Sequence, residues 1–244
     1  MATPWDLSSV TNTGTYRISS HITSGIDLVM TSDGKKVYVT GTESDKIIEL
    51  VLTTPFDITT AYWTGVSLSI SPQTGDPRSL ILNSDGSKLY LKGSTTTQLF
   101  EYSMSTAYDL STAAYSSTII TPPIDYVTMS HDGKYIYGGY GNYLKQFKTD
   151  GTAHVPVTIT PSGTTWAFDK TSIIDDYKTL SINSSIQNSN ISVDGTKMFV
   201  LVGSRYVQEY TLSTPFDAST ATYIRNFDVY YTQGSDYSVA FEVA

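Results

Sequence analysis

Four copies of one cassette constrain this chain more than anything else in it. Each copy opens on an Asp-Gly step: Asp33-Gly34, Asp85-Gly86, Asp132-Gly133 and Asp194-Gly195. An aromatic residue stands four places after each glycine, at Tyr38, Tyr90, Tyr137 and Phe199. A second apolar segment then runs to Glu49-Leu50, Glu101-Tyr102, Gln146-Phe147 or Glu209-Tyr210. Self-similarity at a period of roughly 50 residues denotes stacked or radially arrayed units, each too small to bury its apolar face alone.

A second motif follows in the same phase. Thr54-Pro55-Phe56-Asp57, Thr106-Ala107-Tyr108-Asp109 and Thr214-Pro215-Phe216-Asp217 close three copies, Thr3-Pro4-Trp5-Asp6 precedes the first, and a degraded version lies at Thr165-Trp166-Ala167-Phe168-Asp169. Proline fixes φ and removes a donor, the aromatic ring fills an apolar gap, and Asp or Ser/Thr oxygens cap a tight reversal. The Asp-Gly step itself predicts a two-residue hairpin turn with φ > 0. Segments such as Asp27-Leu28-Val29-Met30-Thr31 and Ser79-Leu80-Ile81-Leu82-Asn83 read as strands entering that turn. Short segments after each Pro-aromatic-Asp loop (Thr15–Ile18, Val66–Ile70, Ser117–Ile120, Leu180–Ile182, Phe227–Tyr230) supply a fourth strand.

The predicted fold class is therefore all-β, a β-propeller of four or five small antiparallel blades within a single domain, residues 1–244. Closure would use strands from both termini, because Ser235–Glu242 resembles a surplus first strand. No segment carries a 3.6-residue period, so helix should be scarce. The interval between Asp132 and Asp194 is longer than the others, which marks an insertion at about 150–176. In a repeat array such an insertion becomes a loop on one face.

The net charge is −8 and cysteine is absent. Acidity argues against a nucleic-acid or anionic-membrane partner, because phosphate contacts need clustered Lys and Arg. Absence of cysteine excludes disulfides, thiolate metal sites and a cysteine nucleophile. No apolar run approaches the ~20 residues of a membrane span. Met1-Ala2-Thr3-Pro4-Trp5-Asp6 enters the repeat pattern at once, so no signal peptide is expected.

Linear motifs of catalysis are missing: there is no Gly-x-Ser-x-Gly, Gly-x-x-x-x-Gly-Lys or His-Glu-x-x-His. The three histidines, His21, His131 and His154, fall in different repeats, and His131 replaces a turn residue that is Ser32, Ser84 or Val193 elsewhere. The repeated aspartates lack the clustered oxygens of a calcium loop, and Asp175-Asp176 reads as a solvated pair. The expectation is thus no catalytic residue, no metal and no cofactor. Aromatic residues outside the repeated positions, Tyr62, Trp63, Tyr140, Tyr143, Tyr230 and Tyr231, form the candidate ligand or partner surface, since flat rings among Ser, Thr and Asn offer apolar area at low entropy cost.

The elements Ser-Thr-Pro-Phe-Asp, Ser-x-Asp-Gly-x-Lys-hydrophobic-Tyr-Val and Glu-Tyr-x-Leu resemble propeller repeats of bacteriophage virion proteins and bacterial surface proteins. Val37-Tyr38-Val39-Thr40-Gly41 is more loosely similar to the Tyr-Val-Thr-Asn family of propeller repeats. The resemblance implies a propeller and a non-enzymatic virion structural role: capsid decoration, cement or a tail-fibre-associated module, located in the virion and bound to capsid or tail proteins. The alternative expectation is a carbohydrate-binding adhesin or lectin-like module that recognises host surface glycans. A lactonase or lyase propeller is the third, disfavoured by the lack of a convergent His/Glu/metal set.

Overall fold

The computed structural model describes residues 14–42, 44–94, 97–121, 123–149, 178–182, 185–203 and 205–228. Among these residues sixteen strands form four antiparallel sheets, each a simple meander. Blade 1 contains β1 (Gly25–Met30), β2 (Lys36–Gly41), β3 (Lys46–Leu52) and β4 (Ala61–Ser69), and blade 2 contains β5 (Pro77–Leu82), β6 (Lys88–Gly93), β7 (Gln98–Met104) and β8 (Ala113–Ile120). Blade 3 contains β9 (Tyr126–Met129), β10 (Tyr135–Tyr140), β11 (Tyr143–Lys148) and β12 (Lys178–Ser181), and blade 4 contains β13 (Ile186–Ile191), β14 (Lys197–Val202), β15 (Tyr206–Leu212) and β16 (Ala221–Asp228). First strands are innermost: β1 lies beside β5, β5 beside β9 and β9 beside β13. The expected choice of four or five blades resolves as a four-bladed propeller. Residues 15–18, expected as a strand, run as irregular chain. The surplus strand at Ser235–Glu242, the loops at Thr3–Asp6 and Thr165–Asp169, and the insertion at about 150–176 lie outside the described residues.

The repeats have a common mechanical explanation. The Asp-Gly turn is longer than the expected two residues. In blade 1 it spans Thr31–Lys35, with the Gly34 N–H donating to Thr31 O (2.8 Å) and the Thr31 N–H to Lys36 O (2.9 Å). Asp33 organises it by accepting from the Lys35 N–H (3.0 Å) and the Thr31 hydroxyl (2.7 Å). These bonds favour the ionised form and hold the Asp33 carboxyl below its ordinary value. Gly34 and Gly195 sit at φ +68° and +70°, and the aromatic of the Pro-aromatic-Asp loop lies directly on them. A Cβ at Gly34 would stand 2.6 Å from the Phe56 ring, and one at Gly195 would stand 2.5 Å from Phe216. The Phe56 N–H also donates to Gly34 O and the Phe216 N–H to Gly195 O, both at 2.9 Å. The two motifs are therefore one device, a glycine left bare so that a ring can lock the turn. After the ring, Asp57, Asp109 and Asp217 each cap a single-turn 3-10 helix by accepting the N–H two residues on, at 3.0 Å.

Blades are joined by apolar contact and, between blades 1 and 2 and blades 3 and 4, by a buried polar grip from the third strand. Tyr38, Tyr90, Tyr137 and Phe199 are wholly buried, each opposite Glu49, Glu101, Gln146 or Glu209 on the third strand. Glu49 pairs with Lys36 (3.2 Å) and accepts from the Leu110 N–H of blade 2 (3.3 Å). Blade 3 has Tyr135 in place of that lysine and correspondingly the neutral Gln146. Gln146 donates to Phe216 O (2.6 Å) and accepts from the Ala218 N–H (2.7 Å) of blade 4. Continuous apolar clusters fill the interfaces between blades 1 and 2, 2 and 3, and 3 and 4. Among the described residues none joins blade 4 to blade 1. There the face of blade 1 packs instead against Tyr16, Ile18 and Ile22 of the preceding segment.

The lock makes a quantitative expectation. Gly195→Ala incurs about 1–2 kcal/mol for a left-handed residue and a further 1–3 kcal/mol for displacing the Phe216 ring. Gly65→Ala, also at positive φ but with open space around the added carbon, incurs only the first. Urea unfolding should rank Gly195→Ala below Gly65→Ala by roughly 2 kcal/mol.

Candidate active site at the propeller axis

The four innermost strands enclose a cavity of about 480 Å³, lined by residues 27–32, 80–84, 127–131 and 188–193 in part, together with Phe56, Ile58 and Tyr108. That volume lies within the range of small-molecule sites. Ser32, Ser84, His131 and Val193 border it on the face that carries the Asp-Gly turns. Asp27 and Asn188 border it at the opposite end, five residues and so about 16 Å deeper along the strands. His131 is thus a turn residue as expected, and it also lines the channel mouth.

Asp27, Ser79, Tyr126 and Asn188 occupy the same place in their repeats, six residues before the turn aspartate. In blades 1 and 2 the side-chain oxygen at this position reaches the first strand of the next blade. Asp27 Oδ2 accepts from the Leu80 N–H (2.8 Å), and Ser79 Oγ accepts from the Val127 N–H (3.1 Å). On its other side Asp27 Oδ1 accepts from Asn188 Nδ2 (3.2 Å). Asn188 Oδ1 takes the Ser189 N–H (2.7 Å), which fixes the amide with its nitrogen towards the carboxylate. Asp27 consequently ties blade 1 to both blade 2 and blade 4.

Asp27 is only 6% exposed. Burial raises its pKa from 3.8 to about 7, against the lowering effect of hydrogen bonds from Leu80, Leu28 and Asn188. It is accordingly half-ionised near neutrality, inside a cavity. Lys92 is the other strongly displaced group of opposite sign, pulled down to about 8 by burial. It ties the β6–β7 hairpin through the Gly93 and Gln98 carbonyls (3.3 and 3.1 Å) and does not line the channel.

Of the aromatic residues selected from sequence, Tyr62, Trp63, Tyr140 and Tyr143 do not line this channel. Tyr62 is half-exposed on outer strand β4 of blade 1. Trp63 is packed, its ring 4.5 Å from His21 and its Nε1 donating to Val66 O (3.1 Å). Tyr140 and Tyr143 face each other across a hairpin of blade 3, on the side away from the Asp-Gly turns. Tyr230 and Tyr231 lie outside the described residues, as does His154. Among the described residues no group of three His, Asp or Glu could hold a metal ion. Sequence reading passed over Asp27 as one residue of a strand. The available signal was a lone carboxylate at a repeat position filled elsewhere by Ser, Tyr and Asn.

No protein-family model matches the chain, and no curated protein sequence matches it. Solved structures do. One, from Bacteroides uniformis and provisionally named a 6-phosphogluconolactonase, aligns with TM-score 0.50 at 18% identity, covering 84% of this chain and 55% of that one. A Bacteroides fragilis protein with the same provisional name gives TM-score 0.49, 20% identity and 88% and 56% coverage. The periplasmic gluconolactonase of Pseudomonas aeruginosa gives TM-score 0.49, 15% identity and 84% and 54% coverage. The chain thus spans about half the length of these proteins, and the likeness is one of fold. It supports the propeller part of the family resemblance and gives no link to virions. The expectation of a non-enzymatic virion structural protein, with a lectin-like module as its alternative, is corrected: the propeller that aligns at TM-score 0.50 bears the provisional name of a lactone hydrolase. The physical reason is that an absence of linear motifs carries little weight in a propeller, where the axis gathers residues from every blade.

The raised Asp27 pKa sets the sign of a pH effect. The folded protein retains this proton to higher pH than the unfolded chain, so the group's contribution to stability is greatest below about pH 4 and is lost as pH rises through about 7. Asp27→Asn abolishes that loss. The stability difference between wild type and Asp27→Asn, measured by urea titration at about pH 4 and pH 8, should move by roughly 4 kcal/mol in favour of the variant.

Proposed function

We propose that the axial channel is the active site of a lactone hydrolase in which Asp27 acts as general base. The observation that carries this reading is a buried carboxyl, poised near neutrality, at the floor of a cavity sized for a small molecule. A group with a pKa close to the working pH combines a useful ionised fraction with enough basicity to take a proton from water. Hydrogen bonds from Leu80 and Asn188 hold the carboxylate in one orientation, and oxygen lone pairs remain for water.

The steps balance without a further reactant. Water, bound against Asp27, attacks the lactone carbonyl carbon as its proton passes to the carboxylate. The tetrahedral intermediate collapses, the ring C–O bond breaks, and Asp27 returns the proton to the leaving ring oxygen. The product is the open hydroxy acid. The amides and hydroxyls along the wall, among them Asn188, Asn190 and Thr128, are suitable to orient the ring and its developing oxyanion.

Purified protein should hydrolyse a simple lactone, followed as acid release in a weakly buffered indicator assay. The rate should rise with pH through about 7 as Asp27 ionises, and Asp27→Asn should lower kcat at least 100-fold. Undiminished hydrolysis by Asp27→Asn, or no hydrolysis of any lactone by the wild type, would overturn the assignment.

A further inference from the structure

We infer that the channel selects uncharged lactones with aliphatic substituents and rejects phosphorylated ones; this rests on the lactonase reading above. Among the described residues that line the channel, none is lysine or arginine. The fixed charge at its floor is the Asp27 carboxylate, and the chain as a whole carries −8. A phosphate dianion entering this space would give up its hydration with no Lys or Arg partner among the described lining residues and only His131 at the mouth, in a field of its own sign. Recognition of phosphate ordinarily uses Arg or Lys forks, or the N-terminus of a helix. Among the described residues the only helices are three single 3-10 turns.

The wall between mouth and floor makes the positive half of the argument. Leu28 and Met30 of blade 1 and Leu82 of blade 2 line the channel while only partly buried, so their methyl and methylene groups contact its contents. Met129 and Ile191 complete the apolar wall from blades 3 and 4. At the mouth, Phe56 is 56% exposed. Its counterpart Phe216 is more covered, and Ile58 remains half-buried where its counterparts Leu110 and Ala218 are buried. An alkyl chain on the ring would cover this apolar surface and displace water from it.

The test compares four probes by kcat/KM: δ-valerolactone, δ-decalactone, δ-gluconolactone and the 6-phosphate of the last. δ-Decalactone should exceed δ-valerolactone at least 10-fold, and δ-gluconolactone should exceed its 6-phosphate at least 100-fold. Val193→Lys, which puts a cation on an exposed turn position at the mouth, should narrow the gap between gluconolactone and its 6-phosphate at least 10-fold. Preference for the 6-phosphate, or for δ-valerolactone over δ-decalactone, overturns the inference and leaves Asp27-dependent hydrolysis standing. Hydrolysis of none of the four overturns both.

Discussion

The carboxylate of Asp27 is the constraint on which the rest of the propeller depends. A four-bladed ring must bring its first strands together at an axis, and a buried polar group there is costly unless its neighbours satisfy it. Asp27 is satisfied from both sides, by the Leu80 amide of blade 2 and the Asn188 side chain of blade 4. The second bond matters most, because the interface between blades 4 and 1 lacks the continuous apolar cluster found at the other three among the described residues. Four copies of an aspartate at this position would crowd four carboxylates around one axis, which mutual repulsion and desolvation forbid. The chain carries one, with Ser79, Tyr126 and Asn188 at the equivalent places.

Departures from the repeat carry meaning in the same way elsewhere. Where blade 3 exchanges lysine for Tyr135, the partner glutamate becomes Gln146, so no carboxylate is stranded. The amide then grips the next blade with a donor and an acceptor together. The turn glycines, by contrast, do not vary: all four hold a left-handed backbone, and Gly34, Gly86 and Gly195 also leave a bare surface for the locking ring. Uniform positions build the disc, and singular ones make its blades and its axis different from one another.

This division explains what the sequence revealed. The blade, its four strands and the loop with its capping aspartate were legible because the same physical demand recurs each time. The length of the Asp-Gly turn was misread, since the dipeptide also fits a two-residue hairpin; the Thr31, Asn83, Ser130 or Ser192 side chain that lengthens it acts only in three dimensions. The ring's contact with the turn glycine joins residues more than twenty apart and cannot be read from either motif alone. The site was hidden for a related reason. Asp27 and Asn188 are 161 residues apart, and nothing local distinguishes Asp27 from a solvated strand residue. Tyr62 and Trp63 drew notice as aromatics outside the pattern, yet one sits on an outer strand and the other is packed against His21.

The account turns on whether blades 1 and 4 meet through Asp27 and Asn188. A double-mutant cycle with Asp27→Ala, Asn188→Ala and the combination, each unfolded in urea at neutral pH, measures that contact directly. Side chains in contact couple by roughly 0.5–3 kcal/mol, whereas distant ones add within about 0.3–0.5 kcal/mol. A coupling near 1 kcal/mol or more is expected; strict additivity would mean that the axis is not closed by this pair.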